Sequence, residues 1–268
     1  MRSSILSAVC LLAAGTSALP ASSAQDTTTT TPSSTASASS TPTPYDFTAG
    51  AVTSFPIHSS CNSTLRRQLE RALDETVELA AHARDHILRF GGASPFVQKY
   101  FGTGNGTDGT PLASTAMPLG WFSRVALGDR GNMTFRCDDP DENCATQDEW
   151  AGHWRGANAT QETVICPPSY AKRRWLDSVC GLGHTVVGSP LNTFWATDLL
   201  HRVLHVPQIS ENLVEHYAED YEAVLELAKT DPAKSAIDSD TLQYFAIDVY
   251  AFDIAAPGVG CTEAEEEE

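Results

Sequence analysis

The sequence has few basic residues, few long apolar runs and no glycine-rich phosphate loop. It contains 17 lysines and arginines against 34 aspartates and glutamates, and its formal net charge is -17. Nucleic acids and anionic membranes bind basic surfaces, so neither is an expected partner. After the N-terminus no stretch is long and apolar enough to cross a bilayer, and we expect no membrane span.

The N-terminus has the composition of a secretory signal. A charged Met1-Arg2 precedes the apolar run 5–14 and then small residues suited to cleavage, which predicts a signal peptide over residues 1–24. Residues 25–50 are rich in serine, threonine and proline and predict a disordered linker. We expect one domain over 51–261, an acidic tail over 262–268, and a secreted protein that is extracellular or associated with the cell wall.

Cysteines and glycosylation sequons fit this compartment. Cys10 lies in the signal, and an even set remains, which predicts three disulfides while spacing alone leaves their pairing open. These six are Cys61, Cys137, Cys144, Cys166, Cys180 and Cys261. Four Asn-x-Ser/Thr sequons predict a surface glycoprotein. Their acceptors are Asn62, Asn105, Asn132 and Asn158.

Hydrophobic periodicity predicts helices at both ends of the domain and strands in the middle. Helices are expected over 62–90, 170–179, 191–205, 210–229 and 239–253. Short strands are expected over 121–127, 133–136 and 163–165, the first two joined by a hairpin turn at 128–131. The pattern indicates an α+β fold in which helices pack on a small, mostly antiparallel sheet.

His201 and His205 form the most informative motif. Four residues apart on a predicted helix, their imidazoles share one face and can hold one metal ion. Zinc peptidases use this spacing in H-E-x-x-H, where the second residue is the glutamate general base. Here that residue is Arg202, so the motif indicates zinc binding and argues against the usual zinc chemistry.

His216 is the candidate third ligand. We expect it on the following helix, where a chain reversal after Pro207 would bring it back over the first. Asp220, one turn further on the same face, is a candidate fourth ligand or outer partner, and Asp198 could orient a ligand or pair with Arg202. A His pair at this spacing is often incidental on an amphipathic helix, and the third histidine favours the metal interpretation.

A second pair, His82 and His86, has the same spacing in the first predicted helix. It is either a polar helix face or a secondary metal pair, and the sequence suggests no third ligand for it.

Several long strings resemble a fungal family, the HRxxH peptidase-domain family of pH-regulated antigens and mould allergens. The resemblance covers most of the mature chain and is carried by residues 82–86, 135–144, 152–156, 162–166, 198–207, 242–246 and 250–261. It implies a secreted, zinc-associated, allergen-like fungal antigen that scavenges zinc and binds host proteins.

A more distant likeness is to the deuterolysins, zinc endopeptidases of the aspzincin group. It implies a zincin-like metallopeptidase scaffold and puts His216 in the place of that group's third ligand. It also implies the pairs Cys61–Cys137, Cys144–Cys166 and Cys180–Cys261. The group's tyrosine is replaced by Glu219, which with Asp220 is a weak candidate for a displaced general base.

We therefore expect a secreted zinc-binding protein, with His201, His205 and His216 as ligands, zinc as cofactor and weak or no proteolysis. The alternative is an active zinc metalloendopeptidase with a displaced base. A third interpretation is a disulfide-stabilised surface antigen with a vestigial site. Expected partners are the zinc ion and either host extracellular proteins or a cell-surface zinc transporter.

Overall fold

The computed structural model describes residues 49–105, 111–112, 114–147 and 150–261. The predicted signal peptide, nearly all of the predicted linker and the acidic tail lie outside the described residues, so these boundaries stay predictions. Within the described ranges, no helix is long and apolar enough to cross a membrane.

Helices dominate the domain. The α-helices are α1 Ser63–Phe90, α2 Pro95–Phe101, α3 Ala116–Leu127, α4 Asn143–Thr146, α5 Pro167–Lys172, α6 Trp195–Leu204, α7 Pro207–Ser210, α8 Tyr221–Thr230, α9 Pro232–Ser235 and α10 Ser239–Tyr250. A π-helical turn over Ala251–Ala255 follows α10 directly.

The strands form two small sheets. They are β1 Gly104–Asn105, β2 Pro111–Leu112, β3 Thr134–Arg136, β4 Gly152–Trp154 and β5 Glu162–Ile165. β1 and β2 pair antiparallel, and the other three form a sheet in the order β3-β5-β4. In that sheet β3 runs parallel to β5 and β4 antiparallel to it. The α+β prediction is confirmed, but the main sheet is mixed where a mostly antiparallel one was expected.

The long helix α1 is the centre of the fold, and its prediction over 62–90 is confirmed. Asn62 caps its N-terminus by accepting hydrogen bonds from the backbone N–H groups of Thr64 and Leu65. Its apolar face, which includes Leu69 and Leu79, is fully buried. This face packs against α3, α6 and α10, so α1 supports the helix that carries His201.

The predicted strand over 121–127 is wrong, because these residues form the end of α3. The buried residues of this segment are Trp121, Phe122, Val125 and Ala126, which is a helical spacing of four and not the alternation of a strand. The following turn at 128–131 therefore joins a helix to β3 and closes no hairpin.

The predicted helix over 210–229 is also wrong in its first half. Glu211 and Asn212 both adopt positive φ, 54° and 58°, which ends the short helix α7 and opens a loop. A new helix, α8, begins only at Tyr221, with Asp220 as its N-cap.

Two other helices begin at different residues from those predicted. In place of 170–179, α5 starts at Pro167, because proline is favoured in a first turn. Within 191–205, regular α-helix starts at Trp195, because Phe194 is held in a parallel bridge with Arg174.

The three disulfides pair Cys61 with Cys137, Cys144 with Cys166 and Cys180 with Cys261. This is the pairing that the deuterolysin likeness implies. Among the predicted glycan acceptors, Asn62, Asn132 and Asn158 are exposed; glycan occupancy stays a prediction.

The Cys180–Cys261 bridge should contribute strongly to stability, because it closes a sequence separation of 81 residues. Replacing both with serine should lower the free energy of unfolding by about 2–5 kcal/mol. Urea unfolding measures this. The matched variant Cys144→Ser/Cys166→Ser opens a separation of only 22 residues and should lose about 1 kcal/mol less in the chain-entropy account. An unchanged unfolding midpoint in the first variant would contradict the prediction.

Candidate metal centre

His201 and His205 meet at the C-terminal end of α6. His201 lies in the last turn, and His205 is the residue that ends the helix. Their Nε2 atoms are 3.2 Å apart, as the spacing of four predicts. Both side chains are partly buried, so the pair faces a cleft and is accessible from it.

His216 completes the cluster from a loop, not from a helix as predicted. Its Nε2 atom lies 2.9 Å from His205 Nε2. One nitrogen from each of His201, His205 and His216 lies within 4.8 Å of the other two. The loop is positioned by Glu215, whose backbone forms a parallel bridge with Asp238. The structure therefore brings together the three histidines that the sequence singled out, by a different route.

A buried carboxylate, Asp238, holds this loop against α10. Its Oδ1 atom accepts backbone N–H hydrogen bonds from Tyr217 (2.7 Å) and Ala218 (3.1 Å). Its Oδ2 atom accepts hydrogen bonds from the backbone N–H (2.7 Å) and the hydroxyl (2.8 Å) of Thr241. Asp238 thereby caps the N-terminus of α10. The residue is fully buried, and these four bonds offset the cost of burying its charge. The sequence leaves either Asp238 or Ser239 as the cap of this helix. The structure places Asp238 there, and its contact with the loop was not expected.

Three residues of α10 surround the outer nitrogens of the cluster, and sequence reasoning did not find them. His201 Nδ1 lies 2.9 Å from the Gln243 side-chain amide and 3.2 Å from the Ser239 hydroxyl. Asp240 Oδ1 lies 3.8 Å from His201 Nδ1 and 3.6 Å from His216 Nδ1. Polar partners behind the metal-facing nitrogen are typical of ligating histidines, since they fix the ring orientation.

The environment keeps two of the imidazoles neutral. Burial, followed by the neighbouring positive charges, holds the pKa of His201 well below its usual value, and burial lowers the pKa of His205 to about 4. The neighbouring carboxylate of Asp240 raises the pKa of His216. Near pH 7, His201 and His205 thus carry free lone pairs. Three imidazole nitrogens are a donor set that zinc favours, so the residues present fit that ion.

Arg202 occupies the position of the peptidase glutamate and is held by Asp198. It donates from Nη2 to Asp198 Oδ1 (2.9 Å) and from Nε to Oδ2 (3.3 Å). Arg173 also contacts this carboxylate, at 3.3 Å. A Cβ atom on Gly152 would lie 2.3 Å from the backbone carbonyl oxygen of Val164 and 2.9 Å from Arg202 Nη1, so a side chain there would clash first with the neighbouring strand and also with the guanidinium. Of the two roles expected for Asp198, pairing with Arg202 is the one observed.

The cluster opens into a cleft of about 720 Å³. Trp150, Trp154, Glu219 and Tyr244 line the same space as the three histidines. Asp220, expected on the face of His216, instead accepts a 2.8 Å hydrogen bond from the backbone N–H of Ala223 as the cap of α8. The reason is that the helix predicted through His216 begins only after Asp220.

Two other histidine groups are separate from the three-histidine cluster. His153 lies close to Cys144 and Cys166, but those sulfurs are bridged and are not free to bind a metal. His82 and His86 lie on α1 and both contact Asp253. His82 and His86 therefore contribute nothing to the cleft cluster.

Comparison with known sequences identifies the family. The profile described as "HRXXH: Putative peptidase family" matches residues 6–264. The chain belongs to the HRXXH family. Its descriptive motif corresponds to His201-Arg202-Val203-Leu204-His205, the segment that begins the cluster.

Individual relatives agree with this assignment. The HRXXH chain is 55% identical over 217 residues to the major allergen Asp f 2 of Aspergillus fumigatus, covering 81% of this chain and 67% of the relative. It is 46% identical over 220 residues to the pH-regulated antigen PRA1 of Candida albicans, covering 82% and 71%. Among solved structures it is similar to a zinc peptidase from Grifola frondosa, with a TM-score of 0.48 and 16% identity, covering 70% of this chain and 97% of that one.

Changing Asp238 to asparagine should destabilise this HRXXH domain. The amide presents an NH2 group to backbone or hydroxyl donors on one side, which leaves buried groups unpaired and costs about 1–3 kcal/mol. Chemical denaturation measures the loss. Asp231→Asn is the matched control, because Asp231 also caps a helix but its side chain is 40% exposed; it should change stability by about 0.5 kcal/mol or less. Equal stability of the two variants would contradict the role given to Asp238.

Proposed function

We propose that this protein is a secreted zinc-binding protein that scavenges zinc and has weak or no proteolytic activity. The observation that carries the proposal is the convergence of His201, His205 and His216, one nitrogen from each, at the wall of an open cleft. Two of these residues come from a helix and the third from a loop fixed by a separate buried carboxylate. Such an arrangement costs conformational freedom and is better explained by a ligand than by packing.

The donor chemistry supports zinc in preference to a hard cation. Three imidazole nitrogens suit zinc, whereas calcium and magnesium take oxygen ligands. Asp240, near the outer nitrogens of His201 and His216, stands where a carboxylate increases the basicity of ligating histidines. The open cleft leaves room for a further ligand from solvent or from a partner.

Arg202 is the reason for proposing binding over cleavage. Zinc at such a site lowers the pKa of bound water and polarises a carbonyl. Peptide hydrolysis also needs a group that accepts the proton of that water, and a guanidinium has no acceptor. Because Asp198 holds Arg202 in place, the arginine stays at the position where a peptidase has its base.

The alternative, an active zinc metalloendopeptidase with a displaced base, is supported by one observation. Glu219 and Tyr244 line the same cleft as the histidine cluster, which makes a carboxylate and a phenol available to a bound peptide. Asp220 is no longer a good candidate for this role, because its carboxylate caps α8.

Secretion, zinc scavenging and the partners are part of the proposal. The signal-like N-terminus, the three disulfides and the words allergen and antigen in the names of the relatives support an extracellular or cell-wall protein. A scavenger must deliver its ion, which makes a cell-surface zinc transporter or a host extracellular protein the proposed partner.

The zinc affinity of a ligand variant tests the proposed site. Replacing a residue that only hydrogen-bonds to a metal ligand lowers metal affinity by about 10–100-fold. His216→Ala removes a ligand itself and should therefore lower zinc affinity by more than that. Competition with a chromophoric chelator measures the affinity of the purified, glycosylated protein. His58→Ala is the control, because His58 contacts Ser60 and lies outside the cluster. Zinc affinity unaffected by His216→Ala would sink the proposal.

Proteolysis tests the role of Arg202. Arg202→Glu alone would place two carboxylates side by side with Asp198, so the informative variant is Arg202→Glu/Asp198→Asn, with Arg202→Gln/Asp198→Asn as its control. Wild type should show no chelator-sensitive cleavage of a denatured protein substrate, and only the glutamate variant should gain it. Chelator-sensitive cleavage by wild type, abolished by Glu219→Gln, would establish the alternative.

A further inference from the structure

We propose that His153, Cys144 and Cys166 form a redox-gated zinc site, which binds an ion when a thiol reductant opens the Cys144–Cys166 bridge. One ring nitrogen of His153 and the two sulfur atoms lie within 4.8 Å of one another. Zinc binds sulfur at about 2.3 Å and imidazole nitrogen at about 2.0–2.1 Å, so donors on one ion are up to about 4.6 Å apart. The three groups are therefore close to the separation that a shared ion requires, and none of them belongs to the cleft cluster.

The imidazole of His153 is buried without a hydrogen-bond partner among the described residues. Its side chain is 6% exposed, and neither Nδ1 nor Nε2 forms a hydrogen bond there. Asp141 Oδ2 lies 3.5 Å from Nε2, but it already accepts a 2.6 Å hydrogen bond from Arg155 Nε. A buried polar group without a partner costs free energy. A metal ion would use the lone pair that the surrounding protein leaves free.

The main sheet holds two of the three donors in place. His153 is the middle residue of β4 and pairs with Val164 of β5. Cys166 follows β5 directly, and its backbone N–H donates a 2.9 Å hydrogen bond to the carbonyl oxygen of Ala151, just before β4. Cys144 lies in the short helix α4. Because the ladder between β4 and β5 does not depend on the disulfide, His153 and Cys166 keep their relative position when the bridge opens.

Opening the bridge is a two-electron reduction by a monothiol such as glutathione. A glutathione thiolate attacks the sulfur of Cys144, which is partly exposed, whereas Cys166 is fully buried. The S–S bond breaks and Cys166 leaves as a thiolate; a second glutathione then releases Cys144 and departs as glutathione disulfide. Zinc binds both sulfurs as thiolates together with the His153 nitrogen, two protons pass to solvent, and a water molecule is the fourth ligand.

A second histidine beside a disulfide shows what distinguishes this site. His184 Nδ1 lies 3.5 Å from the sulfur of Cys261, but it also accepts a hydrogen bond from the backbone N–H of Cys180. Among the described residues, the groups of three donor atoms that lie within 4.8 Å of one another are the cleft cluster and the His153 group. Two thiolates and an imidazole suit zinc, whereas magnesium and calcium take oxygen ligands. His184 is therefore a natural control for His153.

The competing explanation is that His153 only packs against the disulfide. In that case zinc has no influence on the equilibrium between the bridge and its two thiols. If the site forms, zinc binds the reduced state and not the oxidised one, and it raises the reduced fraction as free zinc exceeds its dissociation constant. The two explanations therefore differ in the zinc dependence of this one bridge.

The test uses the full chain with the cleft cluster removed by His205→Ala/His216→Ala. Equilibration in graded glutathione buffers, then alkylation and peptide mass spectrometry, measures the reduced fraction of Cys144 and Cys166 separately from the other bridges. Free zinc at ten times the dissociation constant of the reduced chain should raise the ratio of reduced to oxidised bridge about tenfold, a shift of about 30 mV. Magnesium at the same concentration should leave the ratio unchanged.

Variants of the two histidines identify the ligand. Adding His153→Ala should remove the zinc-dependent shift, with circular dichroism of the oxidised chain as the check on folding. Adding His153→Asn should have the same effect while filling more of the buried space, because a carboxamide is not among the usual zinc ligands. Adding His184→Ala, at the Cys180–Cys261 bridge, should leave the shift at Cys144–Cys166 unchanged.

Three results would refute the redox-gated site. The first is a reduced fraction of Cys144 and Cys166 that does not respond to zinc. The second is a zinc-dependent shift that persists in both His153→Ala and His153→Asn. The third is an equal shift of all three bridges, because zinc would then be binding the reduced chain as a whole. Zinc binding to the cleft is measured without a reductant, so this inference and the proposed function can fail separately.

Discussion

The buried carboxylate of Asp238 is the constraint on which the candidate metal centre depends. One oxygen binds the loop that carries His216, and the other caps the helix that provides Ser239, Asp240 and Gln243. A charged group without exposed surface is stable only if its hydrogen bonds are complete. The loop and the start of α10 are therefore fixed together, and the cluster inherits its geometry from a residue that touches none of its histidines.

A second buried pair, Asp198 and Arg202, determines what the centre can do. Replacing one partner of such a pair leaves an uncompensated buried charge, which is strongly destabilising. The presence of Arg202 where H-E-x-x-H has glutamate is thus more than a local difference at the candidate site. Its guanidinium pairs with an aspartate one turn earlier, and Arg173 contacts the same carboxylate. A glutamate at position 202 would lie beside Asp198, so introducing a peptidase base there requires more than one substitution.

The features that could be predicted from the sequence are those that the spacing of nearby residues controls. The helical pair His201/His205 and the extent of α1 follow from spacing within a few turns of helix. His216 lies in the cluster as expected, but it reaches it from a loop and not from a helix, because the positive φ angles of Glu211 and Asn212 ended the expected helix. The end of α3 was mistaken for a strand because Trp121, Phe122 and Val125 are residue types that are also favoured in strands. Asp253, Gln243 and the loop contact of Asp238 depend on tertiary packing, which spacing does not reveal.

The most direct measurement of the central claim is anomalous diffraction at the zinc edge from crystals of the zinc-loaded protein. The account predicts a peak in the cleft within about 2.0–2.1 Å of one nitrogen each of His201, His205 and His216, with Arg202 still paired to Asp198. No peak at these three histidines at saturating zinc would contradict the account.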